Sequence, residues 1–393
     1  MKTSDRRQAK GPSGKNFSCR RVVLLACCLL WFSIFAFAAH AASSPADWDR
    51  TIQAAQKEGE LVLYASDLFG PIFGEFQKKY PRVKVSLVTA GGGASNLAQR
   101  LLMERRANRY LGDIWISGVD TAFNLLLPGK ALDAIRPALM LPEVLDESNW
   151  SQGKHYYGDP EHKFIYIYEG SAQSGGISYN TALVNPKEMT SYWDLVRPRW
   201  RGKIVSTDPR RPGTSQQNLR FYYHHPELGP EFLKQLFGEM DVAISRDDQQ
   251  MIDWLAAGKY AFALFVRGRV EDEKKKGLPV DQFYPGSIKE GALVDSTRGA
   301  LTFLNRAPHP NAARLAINWF LSREGQRVYQ KVFAEGGTSG GNSMREDIPK
   351  DEVRPDVQRT QGVKFLFIGL PEWIEMKPIH ALLQKTLAEA KKN

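Results

Sequence analysis

Apolar residues change their period several times along the chain, and each change marks an element. Leu61-Val62-Leu63-Tyr64-Ala65 is a continuous apolar run, the pattern of a strand buried on both faces. Phe69, Ile72, Phe73, Phe76 and Tyr80 recur at helical spacing, and Pro81 stops that helix. Val83, Val85 and Leu87 alternate as a second strand. Gly91-Gly92-Gly93 then turns the chain into a helix carrying Leu97, Leu101 and Leu102, and Asp113-Ile114-Trp115-Ile116 reads as a third strand. This β-α-β-α-β order predicts an α/β protein with a mostly parallel, helix-covered sheet.

The middle of the chain repeats the theme. Residues 164–168 and 176–179 read as strands flanking a Gly/Ser turn. Residues 203–206 form a strand followed by a loop over 207–213 and a helix from Thr214. A strand at 242–245, a helix over Met251, Ile252, Trp254 and Leu255, and a strand at 260–266 complete another β-α-β run, with Asp247-Asp248 placed to cap the helix. Ala312, Leu315, Ala316, Trp319 and Phe320 form an amphipathic helix. The polar stretch 335–359 reads as a surface connection or hinge.

Residues 1–41 change the charge picture. Seven basic residues against Asp5 precede the apolar stretch 22–38, and Ala39-His40-Ala41 supplies a small-x-small cleavage site. That is the layout of a secretory signal, and Arg20-Arg21 leaves open whether export follows the general or the twin-arginine route. The net charge of +10 falls to about +4 over the remaining 352 residues, too little to argue for nucleic acid or a membrane surface. Cys19, Cys27 and Cys28 all lie in the signal, so the exported chain is expected to have no disulfide, thiol nucleophile or Cys-ligated metal.

Candidate chemistry sits on loops running from a strand into a helix N-terminus, where free N–H groups and the helix dipole favour anions. Gly91-Gly92-Gly93-Ala94-Ser95-Asn96 is one such loop, and Arg210-Arg211-Pro212-Gly213-Thr214-Ser215 is another. Tyr64-Ala65-Ser66-Asp67 places a hydroxyl at the carboxyl edge of the sheet. No HExxH motif and no GK[ST] phosphate loop is present, so signals for an enzyme are thin. Tyr222-Tyr223-His224-His225 combines phenols with imidazoles, but adjacent helical side chains diverge and a packed aromatic face is the expectation.

Several stretches resemble type 1 extracellular solute-binding proteins of ABC importers, in the ferric-ion-binding branch. They are Gly59-Glu60-Leu61-Val62-Leu63-Tyr64, Gly112-Asp113-Ile114-Trp115, Ile177-Ser178-Tyr179-Asn180-Thr181, Trp193-Asp194-Leu195 with Trp200-Arg201-Gly202-Lys203-Ile204, and Ala257-Gly258-Lys259-Tyr260. The most specific are Ala307-Pro308-His309-Pro310-Asn311-Ala312-Ala313 and Phe320-Leu321-Ser322-Arg323-Glu324-Gly325-Gln326. The resemblance implies a two-lobed periplasmic-binding-protein fold (type II) with two mixed, mostly parallel sheets and hinge crossovers near 132–137 and 292–304. Lobe 1 would comprise 42–133 and 292–335, and lobe 2 would comprise 134–291 and 336–393.

It also implies a monomeric periplasmic receptor, without a cofactor or catalytic role, that works with an inner-membrane ABC permease and its ATPase. Iron-binding members carry a tyrosine pair where this chain reads Phe265-Val266-Arg267-Gly268-Arg269, and Tyr64-Ala65-Ser66-Asp67 stands where they have a histidine. Guanidinium suits a carboxylate or phosphate rather than a ferric ion. The expected ligand is therefore a small anionic organic solute. Ser66, Gly92, Gly93, Ser95 and Ser117 would meet it from lobe 1, and Thr207, Arg210, Gly213, Thr214, Ser215 and Arg267 from lobe 2. Tyr64, Trp115 and Tyr179 would line the apolar part of the cleft. A ferric-ion receptor and a secreted hydrolase using His224 or His225 are the alternatives.

Overall fold

The computed structural model describes residues 44–390 except 92, 211–213, 267–269, 297–298 and 337–339. Helix α1 (Pro45–Glu58) starts at a Ser44/Asp47 capping box and ends at Gly59 in the left-handed conformation. Strand β1 (Glu60–Ala65), helix α2 (Phe69–Lys79), β2 (Lys84–Val88), helix α3 (Ala94–Arg106) and β3 (Ile114–Ser117) follow as the periodicity predicts. β1 lies between β2 and β3, parallel to both. Short strands β4 (Leu132–Asp133), β5 (Tyr156–Tyr157) and β6 (Tyr166–Ile167) come next. They join the same sheet through β14 (Ala300–Leu304), antiparallel to β3, β4 and β6, while β5 pairs with β6.

The second sheet has the order β10-β9-β11-β8-β12. Its strands are β8 (Ile177–Asn180), β9 (Ile204–Thr207), β10 (Ala243–Ser245), β11 (Phe262–Leu264) and β12 (Val280–Gln282). Parallel pairing is confined to β9 with β10 and β11; β8 runs antiparallel to β11 and β12. Both sheets are thus mixed, and parallel pairs do not dominate. Each β-α-β unit supplies them, whereas strands entering from the crossovers run the other way. Helices α4 (Thr214–His224), α5 (Gly229–Gly238) and α6 (Asp248–Ala256) cover this sheet, and Asp247 caps α6 by accepting from Gln249 and Gln250 N–H.

A three-stranded sheet, β7 (Ser171–Gln173), β13 (Ala292–Asp295) and β15 (Phe365–Phe367), lies along the crossing segments. The division of the chain therefore differs from the sequence reading. Tyr166-Ile167 belongs to the first sheet and Ile177–Asn180 to the second, so the chain leaves lobe 1 at 168–176 rather than near 132–137. Leu132-Asp133 stays in lobe 1 through β14. The crossing near 132–137 was what the family resemblance implied, and periodicity offers no check on it, since an apolar run reports burial and not which sheet buries it.

The polar stretch 335–359 is also not a plain surface connection. Ser343 and Arg345 are fully buried, and Met344 N–H donates to the Tyr168 carbonyl at 2.8 Å. Arg345 is neutralised bidentately by Asp347 at 2.8 Å for each bond and donates to the Leu321 carbonyl at 2.9 Å. Helices α7 (Pro310–Leu321) and α8 (Arg323–Glu335) pack Trp319, Phe320 and Phe333 against Phe69, Phe73 and Phe76 of α2. The final helix, α9 (Lys377–Ala390), packs on α5 of lobe 2. No helix among the described residues is long and apolar enough to cross a membrane.

Candidate functional site

The carboxyl ends of β1, β3 and β9 and the N-termini of α3 and α4 carry most of the residues that sequence singled out. α3 begins at Gly93, whose φ of 87° is open to glycine and strained for other residues. Gly93 has no side chain with which to cap that first turn, and Asn96 Nδ2 donates to the Gly91 carbonyl at 3.0 Å. Ser95 is exposed beside it, Ser66 is exposed after β1, and Ser117 is half-buried at the end of β3. Across from them, Thr207 ends β9 half-buried, and Ser215 is buried in the first turn of α4. Thr214 opens α4 by its backbone. Gly92, Gly213, Arg267 and the Thr214 side chain lie outside the described residues.

Between the lobes is a cavity of about 150 Å³. Ala94, Gly118 and Asp120 line it from lobe 1, Gln217 and Arg220 from α4, and Asp295, Ser296 and Gly369 from the crossing segments. Arg220 is its dominant cation. Only 2% of the residue is exposed, and its two terminal nitrogens grip Asp120 bidentately, with Nη1 to Oδ1 at 3.1 Å. Its Nε points to Met376 Sδ at 3.4 Å. The Asp120 side chain is 37% exposed, so the pair joins a dry guanidinium to a wet carboxylate across the gap. Ser296 is equally buried, and its hydroxyl has no hydrogen-bond partner among the described residues.

Other expectations place differently. Arg210 is exposed and spends Nε and Nη2 on Asp208, both at 2.8 Å, which lowers the Asp208 pKa. Its charge is thus used within the loop. The aromatic side chains expected in the cleft are core residues instead. Trp115 is fully buried, and Tyr64 donates its hydroxyl to Glu104. Tyr179 packs on Phe283 at 4.8 Å, and burial with Asp281 alongside raises its pKa. In each case the buried face of the strand claims the ring. Just before the Arg267 loop, Phe265 holds a φ of 65°, and its N–H donates to the Gly176 carbonyl at 2.7 Å. Strain of this kind in a bulky residue collects at ligand loops.

The histidine pair performs structural work. His225 Nε2 meets the Glu290 carbonyl at 3.0 Å, and Nδ1 accepts from Glu227 N–H at 3.1 Å. His224 stacks on Trp373 at 5.4 Å, and burial followed by Arg220 lowers its pKa. Among the described residues no group of three or more His, Cys, Asp or Glu side chains could hold a metal.

Asp120, Gln217, Arg220 and Ser296 were missed by sequence reasoning. A signal was available for two of them: Gln217 and Arg220 sit three apart on α4, which follows the loop over 207–213, and an arginine inside the apolar run Leu219–Tyr222 is out of pattern.

Comparison with known proteins fits this geometry. A spermidine/putrescine-binding periplasmic protein of Escherichia coli is 24% identical over 221 residues, 50% of this chain and 61% of that protein. Apo FutA2 of Synechocystis PCC6803 superposes with a TM-score of 0.61 at 19% identity, covering 84% of this chain and 98% of that one. AfuA of Actinobacillus pleuropneumoniae, solved with fructose 6-phosphate bound, gives 0.54 at 19% identity over 85% and 99%. The sequence profile of the bacterial extracellular solute-binding proteins matches residues 42–327. With its two lobes and the cavity between them, the chain belongs to the bacterial extracellular solute-binding protein family.

Proposed function

We propose that this receptor captures a small anionic organic solute, a carboxylate, phosphate or phosphonate, between its lobes and delivers it to an inner-membrane ABC permease. The observation that carries the reading is Arg220, a buried guanidinium facing the cavity between lobes. Its planar fork matches two oxygens of one anion, and exclusion of water strengthens that attraction. The first turn of α3, represented at the cavity by Ala94, adds N–H donors and the positive end of a helix dipole. AfuA, of similar fold, has been solved with a sugar phosphate bound.

A ligand touching both lobes favours closure by its differential affinity, and near-complete switching takes about 5 kcal/mol. A ferric-ion site is disfavoured because no tyrosine lines the cavity among the described residues. Differential scanning fluorimetry with inorganic phosphate, fructose 6-phosphate, citrate, spermidine and ferric citrate tests the proposal. An anion at about a hundred times its Kd adds roughly 2.7 kcal/mol of stability. A shift with spermidine or iron alone would overturn it.

A further inference from the structure

We infer that Asp120 is an internal stand-in for the solute's anionic group: it neutralises Arg220 in the empty cleft and is displaced when the solute binds. The inference rests on the reading that the cleft takes an anion. A guanidinium as dry as that of Arg220 is costly without a counter-charge, so an empty receptor must supply one. Asp120 does so in the bidentate geometry a carboxylate or phosphate ligand would use.

The exchange is asymmetric. Asp120 sits on the short helical turn after β3 with a third of its side chain exposed, so it regains water when it lets go, whereas Arg220 cannot. The buried Ser296 hydroxyl on the same cavity, unpartnered among the described residues, is free to donate to the incoming oxygen. Asp120 thereby sets a threshold: only a solute that satisfies Arg220 better than this carboxylate, through Ser296 and the α3 amides as well, closes the lobes.

The prediction has a sign that a simple interlobe latch would reverse. Isothermal titration calorimetry with fructose 6-phosphate, inorganic phosphate and citrate compares the wild type with Asp120→Asn, Asp120→Ala and Arg220→Gln. Removing the competitor is expected to tighten the Kd of the bound anion about tenfold in both Asp120 variants, and Arg220→Gln to weaken it about tenfold or more. Without solute the Asp120 variants melt lower than wild type, and the anion raises their Tm by more than it raises that of wild type.

Binding by wild type that is unchanged or weaker in both Asp120 variants overturns the inference and leaves the anionic reading standing. Binding by the Asp120 variants alone supports it. Absence of binding by every form overturns both.

Discussion

Asp113 ties the motifs that carry the family resemblance into one buried knot, and removing its carboxylate should loosen lobe 1 without touching the cleft. The residue is fully buried at the start of β3. It accepts from Val62 N–H at 2.7 Å, from His309 N–H at 2.8 Å and from His309 Nδ1 at 3.0 Å. Strand β1, strand β3 and the start of α7 are thereby held together. The neighbouring Glu58 completes the join, accepting from Asn311 and Ala312 N–H at 3.0 and 2.8 Å.

In Asp113→Ala two backbone donors and an imidazole lose their acceptor. Each stranded donor costs about 1–3 kcal/mol, and breaking a buried charged contact costs about 3–5 kcal/mol, so a loss of about 4 kcal/mol is expected. Asp113→Asn keeps one acceptor oxygen and should lose about half that. Urea unfolding followed by tryptophan fluorescence reads the change, with the Kd for the bound solute unchanged within twofold. A loss under about 1 kcal/mol in Asp113→Ala would refute the reasoning.

Further outcomes follow from other sites. At Gly291, which opens β13 with a φ of 93°, an added Cβ would stand 2.2 Å from the Lys364 carbonyl oxygen. Gly291→Ala should therefore cost more than about 3 kcal/mol, measured by the same unfolding assay. Lys350 is pulled down to about 7 by burial and then by Arg359. The unfolded chain binds that proton between about pH 7 and 10.5 and the folded chain does not, so stability rises with pH across the window, by up to about 1.4 kcal/mol per unit. Lys350→Met should flatten that slope in urea titrations run at each pH. Arg210→Ala removes an exposed ion pair and should change stability by less than about 1 kcal/mol.

Much of the scaffold was readable from periodicity because its signals are local. Leu61–Ala65 could only be a strand buried on both faces, and Asp247 could be read as a cap because its partners lie two and three residues ahead. The crossing between lobes was not readable in this way: residues 164–168 and 176–179 look alike in sequence, yet pair with strands more than 80 residues away in different sheets. The aromatic residues assigned to the cleft failed for a related reason. A ring near a strand's end can turn to either face, and Tyr64 and Tyr179 turn to the core. Arg220 stood out of pattern in its apolar run, but its role was hidden because it comes from Asp120, one hundred positions earlier. Ser66, Gly93 and Ser95 were legible only as loop and helix-start positions, which glycine and small polar residues announce, and none of the three is among the residues lining the cavity.

The most direct test of an anion-receiving cleft is native mass spectrometry of the protein purified from its native host, followed by identification of whatever it has retained. The account predicts one small acidic solute per chain, lost when Arg220 is replaced by Gln. A retained polyamine or ferric ion, or an acidic solute held equally well by Arg220→Gln, would contradict it.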